Sequence, residues 1–262
     1  MKRAKRPFII LGLILVIFWC LFRVRKRRDG FTDKTIEIVV ARYNENLEWL
    51  KTEPFNKYDT IVYNKGTNED FAKPDNVKHT VPLKNVGRES HSYLHHIVKN
   101  YDNLSDITIF LPGSNQMQHK MDASLKIIQN MEKSGNATFV SQETRENIKD
   151  ALYDFKLDSY QSTHAENKSA NPESNLKESP IRPYGKWFES TFGNIIVSPV
   201  GYYGVFSVAK QDILQHPLEY YERLEAQLST SSNPEVGHYF ERSWAAVFHP
   251  MKNTNILNII NE

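Results

Sequence analysis

Hydrophobic and polar positions fall into two regimes along this chain. Pro7 to Phe22 is an unbroken apolar run without a charged residue, flanked by Lys2, Arg3, Lys5 and Arg6 before it and by Arg23, Arg25, Lys26, Arg27 and Arg28 after it. As a helix the run reaches roughly 24 Å, enough for a thin bilayer when basic flanks snorkel to the headgroups. The pattern predicts a transmembrane anchor over residues 1–28 and a charged stem over 29–35. A cleaved secretory signal is the competing reading. It is disfavoured because a basic block, and no small-residue cleavage site, follows the run.

From Ile36 onward, short β-rich runs alternate with helical repeats. Ile36–Ala41 reads as a strand ending at Arg42-Tyr43-Asn44-Glu45, with a short helix following through Trp49 and Leu50. Thr60–Tyr63 is a second strand, stopped by Asn64-Lys65-Gly66, and Val77–Leu83 is a third. In Arg88–Tyr101 the residues Tyr93, Leu94, Ile97, Val98 and Tyr101 recur at helical spacing. Ile107–Leu111 is nearly all apolar, as a strand buried on both faces would be. Met121–Met131 is a further helix. The periodicity breaks down over Ser141–Ser190, where a polar stretch at about 159–183 reads as a surface insertion. Tyr202–Ala209 is strand-like, and Gln211–His216, Leu218–Leu228 and Val236–Val247 are helical. Alternating strands and helices predict one α/β domain over residues 36–262, a layered, mostly parallel sheet flanked by helices.

Charge changes the picture once the anchor is set aside. The chain has 33 Lys and Arg against 31 Asp and Glu, but nine of the basic residues and none of the acidic ones precede Asp29; the remaining 24 against 31 give the domain a formal charge of −7. A domain this acidic is a poor general binder of nucleic acid, whose affinity comes from neutralising phosphates. The single cysteine, Cys20, lies in the apolar run. The domain therefore has no disulfide, no disulfide-linked partner and no cysteine nucleophile. Asn-x-Ser/Thr triplets at Asn103, Asn136 and Asn167 are about as many as chance supplies at this composition. Nearly equal flanking charge leaves the orientation open; the long segment after the run favours a domain in the secretory lumen.

No phosphate loop, Gly-x-Ser-x-Gly elbow, His-Glu-x-x-His or paired CxxC is present in the sequence. Polar residues do collect at the C-terminal ends of the expected strands, the edge where open α/β sheets bind ligands. The first strand delivers Arg42, Asn44 and Glu45, the second Asn64 and Lys65. Gly87, Arg88 and Glu89 open the helix after the third, and Gly113, Ser114 and Asn115 follow the fourth. Arg, Lys and a helix N-terminus form an anion cradle; the alternative is a set of ordinary turn and capping residues. His119 lies close behind the fourth strand. His91 and His95 share a helix face and could ligate a metal, although packed or solvated histidines are commoner. On the last helix Glu241 neighbours His238 and Trp244, a setting that suits a general base, while pairing with Arg242 is the ordinary alternative.

Several blocks then carry a resemblance. VVARYNENLEWL (Val39 to Leu50), IVYNKG (Ile61 to Gly66), NVGRESHSYLHHIVKNYDNL (Asn85 to Leu104), ITIFLPG (Ile107 to Gly113) and GHYFERSWAAVF (Gly237 to Phe248) resemble an uncharacterised domain family found chiefly in fungi and some large viruses. That family in turn looks like a relative of the GT-A glycosyltransferases: Tyr43-Asn44-Glu45 after the opening strand is similar to their nucleotide-binding start, and Gly204–Val208 with Ile213, His216-Pro217 and Tyr220-Tyr221 to their acceptor-side segment. The resemblance implies a membrane-anchored enzyme moving a sugar from a nucleotide-sugar donor. Arg42, Asn44, Glu45, Asn64 and Lys65 would hold the nucleotide, Gly113 and Ser114 would lie by the diphosphate, Arg88, Glu89 and His119 would complete the substrate site, and Glu241 would be the base. GT-A enzymes usually hold a divalent metal through Asp-x-Asp after a central strand; Pro112-Gly113-Ser114-Asn115 stands there instead. A metal cofactor is thus unsupported by a motif, and Arg42, Lys65 or Arg88 could neutralise the diphosphate. The rival expectation is a non-catalytic, membrane-tethered module that binds a glycan or a protein.

Overall fold

The computed structural model describes residues 34–160 and 176–259. The expected anchor, Cys20, all but the end of the stem and the middle of the polar insertion lie outside the described residues. Among the described residues no helix is long and apolar enough to cross a membrane.

Strands β1 (Ile36–Arg42), β2 (Asp59–Asn64), β3 (Val77–Pro82) and β4 (Ile107–Pro112) occupy the four expected runs. Helix α1 (Arg88–Asn100) links β3 to β4. Next come α2 (Gln118–Ser134), β5 (Ala137–Ser141), β6 (Glu143–Thr144), the single turn α3 (Ile148–Ala151) and α4 (Tyr184–Phe192). The chain ends through β7 (Pro199–Val200), β8 (Phe206–Ala209), α5 (Lys210–Ile213), α6 (Leu218–Ala226), α7 (Glu235–Val247) and β9 (Thr254–Asn258). The main sheet runs β3-β2-β1-β4-β8, with only β8 antiparallel to its neighbour. The other strands form two-stranded ribbons, β5 with β9 and β6 with β7.

Side-chain alternation along the strands makes two cores. Val39 and Ala41 of β1 and Phe110 of β4 face one layer with Tyr93, Leu94 and Ile97 of α1 and Tyr239, Phe240 and Trp244 of α7. Ile38, Val40, Ile109 and Leu111 face the opposite layer, where Ile127, Ile128 and Met131 of α2 pack beside Trp49, Leu50 and Phe55. Both faces of the central strands are covered, hence their continuous hydrophobicity. The late part of the chain is no separate unit: the Phe206 ring lies 5.1 Å from Phe110 and 4.8 Å from Trp244.

Local departures from the sequence reading have physical causes. The helix expected after β1 is a 3-10 turn, Glu48–Lys51. The strand expected from Tyr202 begins only at Phe206, because Tyr203 (φ 71°) and Gly204 (φ 65°) form a left-handed turn before it. Helix α4 lies inside the stretch where periodicity had failed. It buries Tyr184, Trp187 and Phe188, an i, i+3, i+4 stripe too short to stand out among polar neighbours.

Candidate functional site: a charged cleft at the sheet's switch point

The chain winds outward from β1 through β2 to β3, then crosses back to place β4 on the other side of β1. The loops after β1 and β4 therefore diverge at their C-terminal ends and leave a crevice between them. A cleft of about 500 Å³ opens there. Of the residues expected at the site, Arg42, Glu45, Lys65, Arg88, Glu89, Ser114, His119 and Glu241 line it together. Asn44, Asn64 and Gly113 do not, and each instead supports a lining residue.

The β1 loop folds around its own side chains. Arg42 is buried, donating Nε to the Glu45 carbonyl (2.6 Å) and Nη1 to the Asn64 Oδ1 (2.6 Å) and the Asn68 carbonyl (2.7 Å), with the guanidinium 3.8 Å over the Phe71 ring. Glu45 Oε2 accepts the backbone N–H of Tyr43 (2.7 Å) and of Asn44 (3.1 Å). Gly113 lies against that carboxylate, where a Cβ would meet Glu45 Oε2 at 2.7 Å. The Trp49 indole donates to the Gly113 carbonyl (3.1 Å) and fixes the opposite wall.

Lys65, at the end of β2, donates Nζ to the carbonyls of Val86 and Arg88. It thereby secures the left-handed step, Gly87 (φ 61°) and Arg88 (φ 53°), from which α1 departs. Burial draws the Lys65 pKa down to about 7. The Arg88 guanidinium lies 4.6 Å from the Tyr160 ring and reaches Asn233 Oδ1 and the Tyr160 hydroxyl, both at 3.4 Å, with Glu89 3.7 Å away.

On the far wall Glu241 Oε1 accepts the Tyr203 N–H (2.9 Å), and Arg242 Nη1 stands 3.3 Å from its other oxygen. The His119 ring is 4.5 Å from that of Tyr203. Neighbouring His238 is packed 4.2 Å from the Tyr160 ring, and burial pulls its pKa down to about 2.

Sequence reasoning missed several lining groups. Lys120 donates Nζ to Ser114 Oγ at 2.7 Å, and burial lowers its pKa. Its one legible signal was a cation in the first turn of the helix after β4. Tyr160, Tyr202, Tyr203 and Asn233 also line the cleft; they arrive from distant segments, and nothing local marks them.

His91 and His95 do share a helix face, with ring centroids 5.8 Å apart, but they meet Glu225 (3.6 and 2.8 Å) outside the cleft lining. Among the described residues no group of three or more His, Cys, Asp or Glu could hold a metal ion. In the cleft, the carboxylates of Glu45 and Glu241 are turned to backbone amides and Glu89 faces Arg88. These residues do not fit the hard, multi-oxygen shell of a divalent cation.

No curated protein matches the sequence. Among solved structures, the chain is similar to glucosyl-3-phosphoglycerate synthase from Mycobacterium tuberculosis, determined with Mn²⁺, UDP-glucose and phosphoglyceric acid. The two share 10% identity and a TM-score of 0.32 over 90% of this chain and 73% of that one, a likeness that carries no argument for the site. Residues 38–256 match the model of the family described as Protein of unknown function (DUF3431), and the chain belongs to that family.

Proposed function

We propose that the domain binds a nucleotide-sugar donor in this cleft and transfers its sugar to an acceptor hydroxyl. One observation carries the reading: the switch-point cleft is lined by Arg42, Lys65, Arg88, Lys120 and Arg242 against Glu45, Glu89 and Glu241, an excess of cations in a domain that is acidic as a whole. Such a cleft favours an anionic ligand.

In this reading the nucleotide lies over the ends of β1 and β2. Glu45 faces it, while Arg42, Asn44, Asn64 and Lys65 act by holding the loops in shape. The diphosphate lies beside Gly113 and Ser114 and within reach of Arg88, and Glu89 and His119 contact the rest of the substrate. Glu241 takes the proton from the acceptor hydroxyl. The acceptor oxygen forms its bond to the anomeric carbon as the bond from that carbon to the diphosphate oxygen breaks, and the electron pair leaves with the diphosphate. Fixed cations stabilise the charge that develops there. The apolar run Pro7–Phe22 belongs to the same proposal, as a tether holding the domain at the luminal face of a secretory membrane.

The direct test is release of free nucleoside diphosphate from a panel of donors by the full-length chain in detergent. Turnover of one donor, lowered at least a hundredfold by Glu241→Gln with donor binding retained, is the expected result; no turnover of any donor would sink the proposal. The second reading, a non-catalytic binding module, is favoured by the hydrogen bond that fixes Glu241 to the Tyr203 amide. It expects neither turnover nor thermal stabilisation by nucleotide sugars.

A further inference from the structure

Arg42 and Lys65 are cationic and line the cleft, but their head groups are committed to the protein itself. The Arg42 guanidinium serves three carbonyls and a side-chain amide oxygen. The Lys65 ammonium serves two carbonyls. Both head groups hold the loops around them, and Lys65 keeps one donor beyond its two bonds.

Lys120 differs. An ammonium carries three donors, and Lys120 uses one of them, on Ser114 Oγ at 2.7 Å. It projects from the first turn of α2, next to the end of β4, so it flanks the switch-point crevice directly. Ser114, having accepted that bond, keeps its own proton to donate. Arg88 faces the same space, with long contacts of 3.4 Å to Asn233 and Tyr160 and a looser pairing with Glu89 at 3.7 Å. Two cations and a hydroxyl donor thus converge where the expected Asp-x-Asp is replaced by Gly113-Ser114-Asn115. The Asn115 side chain is turned away into the core, donating to Ser124 Oγ at 3.1 Å.

We infer that this cleft neutralises the diphosphate of its ligand with Lys120, assisted by Ser114 and Arg88, in place of a carboxylate-held divalent cation. The inference rests on the donor-binding reading above, and it specifies the chemistry of that same site. A fixed ammonium beside a hydroxyl discriminates by charge, so a nucleoside diphosphate gains more from it than the matching monophosphate. Burial, which lowers the Lys120 pKa, supports the same picture: an entering anion restores the stabilisation that desolvation removed.

The test is calorimetric titration of the full-length chain in detergent with UDP, GDP, UMP and GMP, each with Mn²⁺ and again with EDTA. Expected is one diphosphate bound with an affinity that EDTA changes less than twofold. Lys120→Gln should weaken that diphosphate at least tenfold and its monophosphate less than threefold, and Lys120→Arg should restore most of the loss. Diphosphate binding abolished by EDTA in the unaltered protein would overturn the inference whatever the variants do, and so would equal weakening of mono- and diphosphate by Lys120→Gln. Binding with the expected pattern but without donor turnover would sustain this inference and remove sugar transfer. Absence of binding for all four nucleotides would overturn both.

Discussion

The Arg42 guanidinium donates to the Asn64 side-chain oxygen at 2.6 Å, joining the C-terminal ends of two adjacent parallel strands beneath the cleft. Both residues are buried, so the bond is screened little by water. Removing the acceptor leaves a buried charged donor short of a partner, which costs more than a neutral hydrogen bond. Asn64→Leu should therefore destabilise the domain by about 2 kcal/mol, read as a lower urea midpoint at unchanged slope. An unchanged midpoint would show that the bond is not needed to hold the loop.

A second structural hub lies at the start of α7. Glu235 is fully buried, accepting the backbone N–H groups of Leu157 and Ser179 (2.9 Å each) and the Tyr239 hydroxyl (2.8 Å), with Arg182 Nε 3.1 Å away. Leu157 lies just before the polar insertion and Ser179 within its last part, so one carboxylate ties the two segments together. Glu235→Ala strands two backbone amides and the Tyr239 hydroxyl and removes one partner of Arg182, which keeps Glu178 and the Leu157 carbonyl, and a loss of about 3 kcal/mol is expected. Limited proteolysis should show faster cutting between residues 157 and 180 in the variant; cutting at the parental rate would mean that other contacts hold the two segments.

Legibility in the sequence followed the range of the interactions. The central strands β1 and β4 were visible because they are buried on both faces and so read as apolar runs, as in Ile107–Leu111. The strand-end rule located the cleft, since Arg42, Lys65 and Ser114 are delivered there by their own strands. It could not foresee that Arg42 and Lys65 would be consumed by backbone carbonyls, because Asn68, Val86 and Arg88 reach them only through the folded loops. Tyr160 and Asn233 were invisible for the same reason: the bond between the Asn233 side chain and the Tyr160 carbonyl (3.2 Å) joins residues with no shared local pattern.

Stability should fall on acidification through His91. Burial is the main cause that holds its pKa at about 4 against 6.5, with Lys65 adding to the effect and Glu225 opposing it. Between those values the unfolded chain binds a proton that the folded chain excludes, so stability is lost as pH drops from 6.5 and levels off below 4. The full window corresponds to about 3 kcal/mol as an upper figure. The stability difference between the parent and His91→Gln, measured by urea unfolding at pH 7, 5.5 and 4, should shift in favour of the variant by up to that amount. A pH-independent difference would rule out His91 as a source of the acid sensitivity.

Gly113 offers a way to disturb the cleft floor without touching a charged group. A Cβ there would come within 2.7 Å of Glu45 Oε2 and 2.9 Å of its carboxyl carbon, with the Arg42 backbone 3.2 Å behind. The backbone cannot yield easily, because the Gly113 N–H bonds the Ala41 carbonyl (2.7 Å) and its carbonyl accepts from Trp49 (3.1 Å). The Glu45 carboxylate must therefore move, releasing the amides of Tyr43 and Asn44 that it holds. Gly113→Ala should cost about 1–2 kcal/mol of stability, and it should weaken any ligand of the cleft by more than that loss explains, since the β1 loop is no longer preorganised. Glu45→Gln in the Gly113→Ala background supplies the check: once the carboxylate has been displaced, the second change should add little. Full additivity of the two would place the effect of the methyl group somewhere other than Glu45.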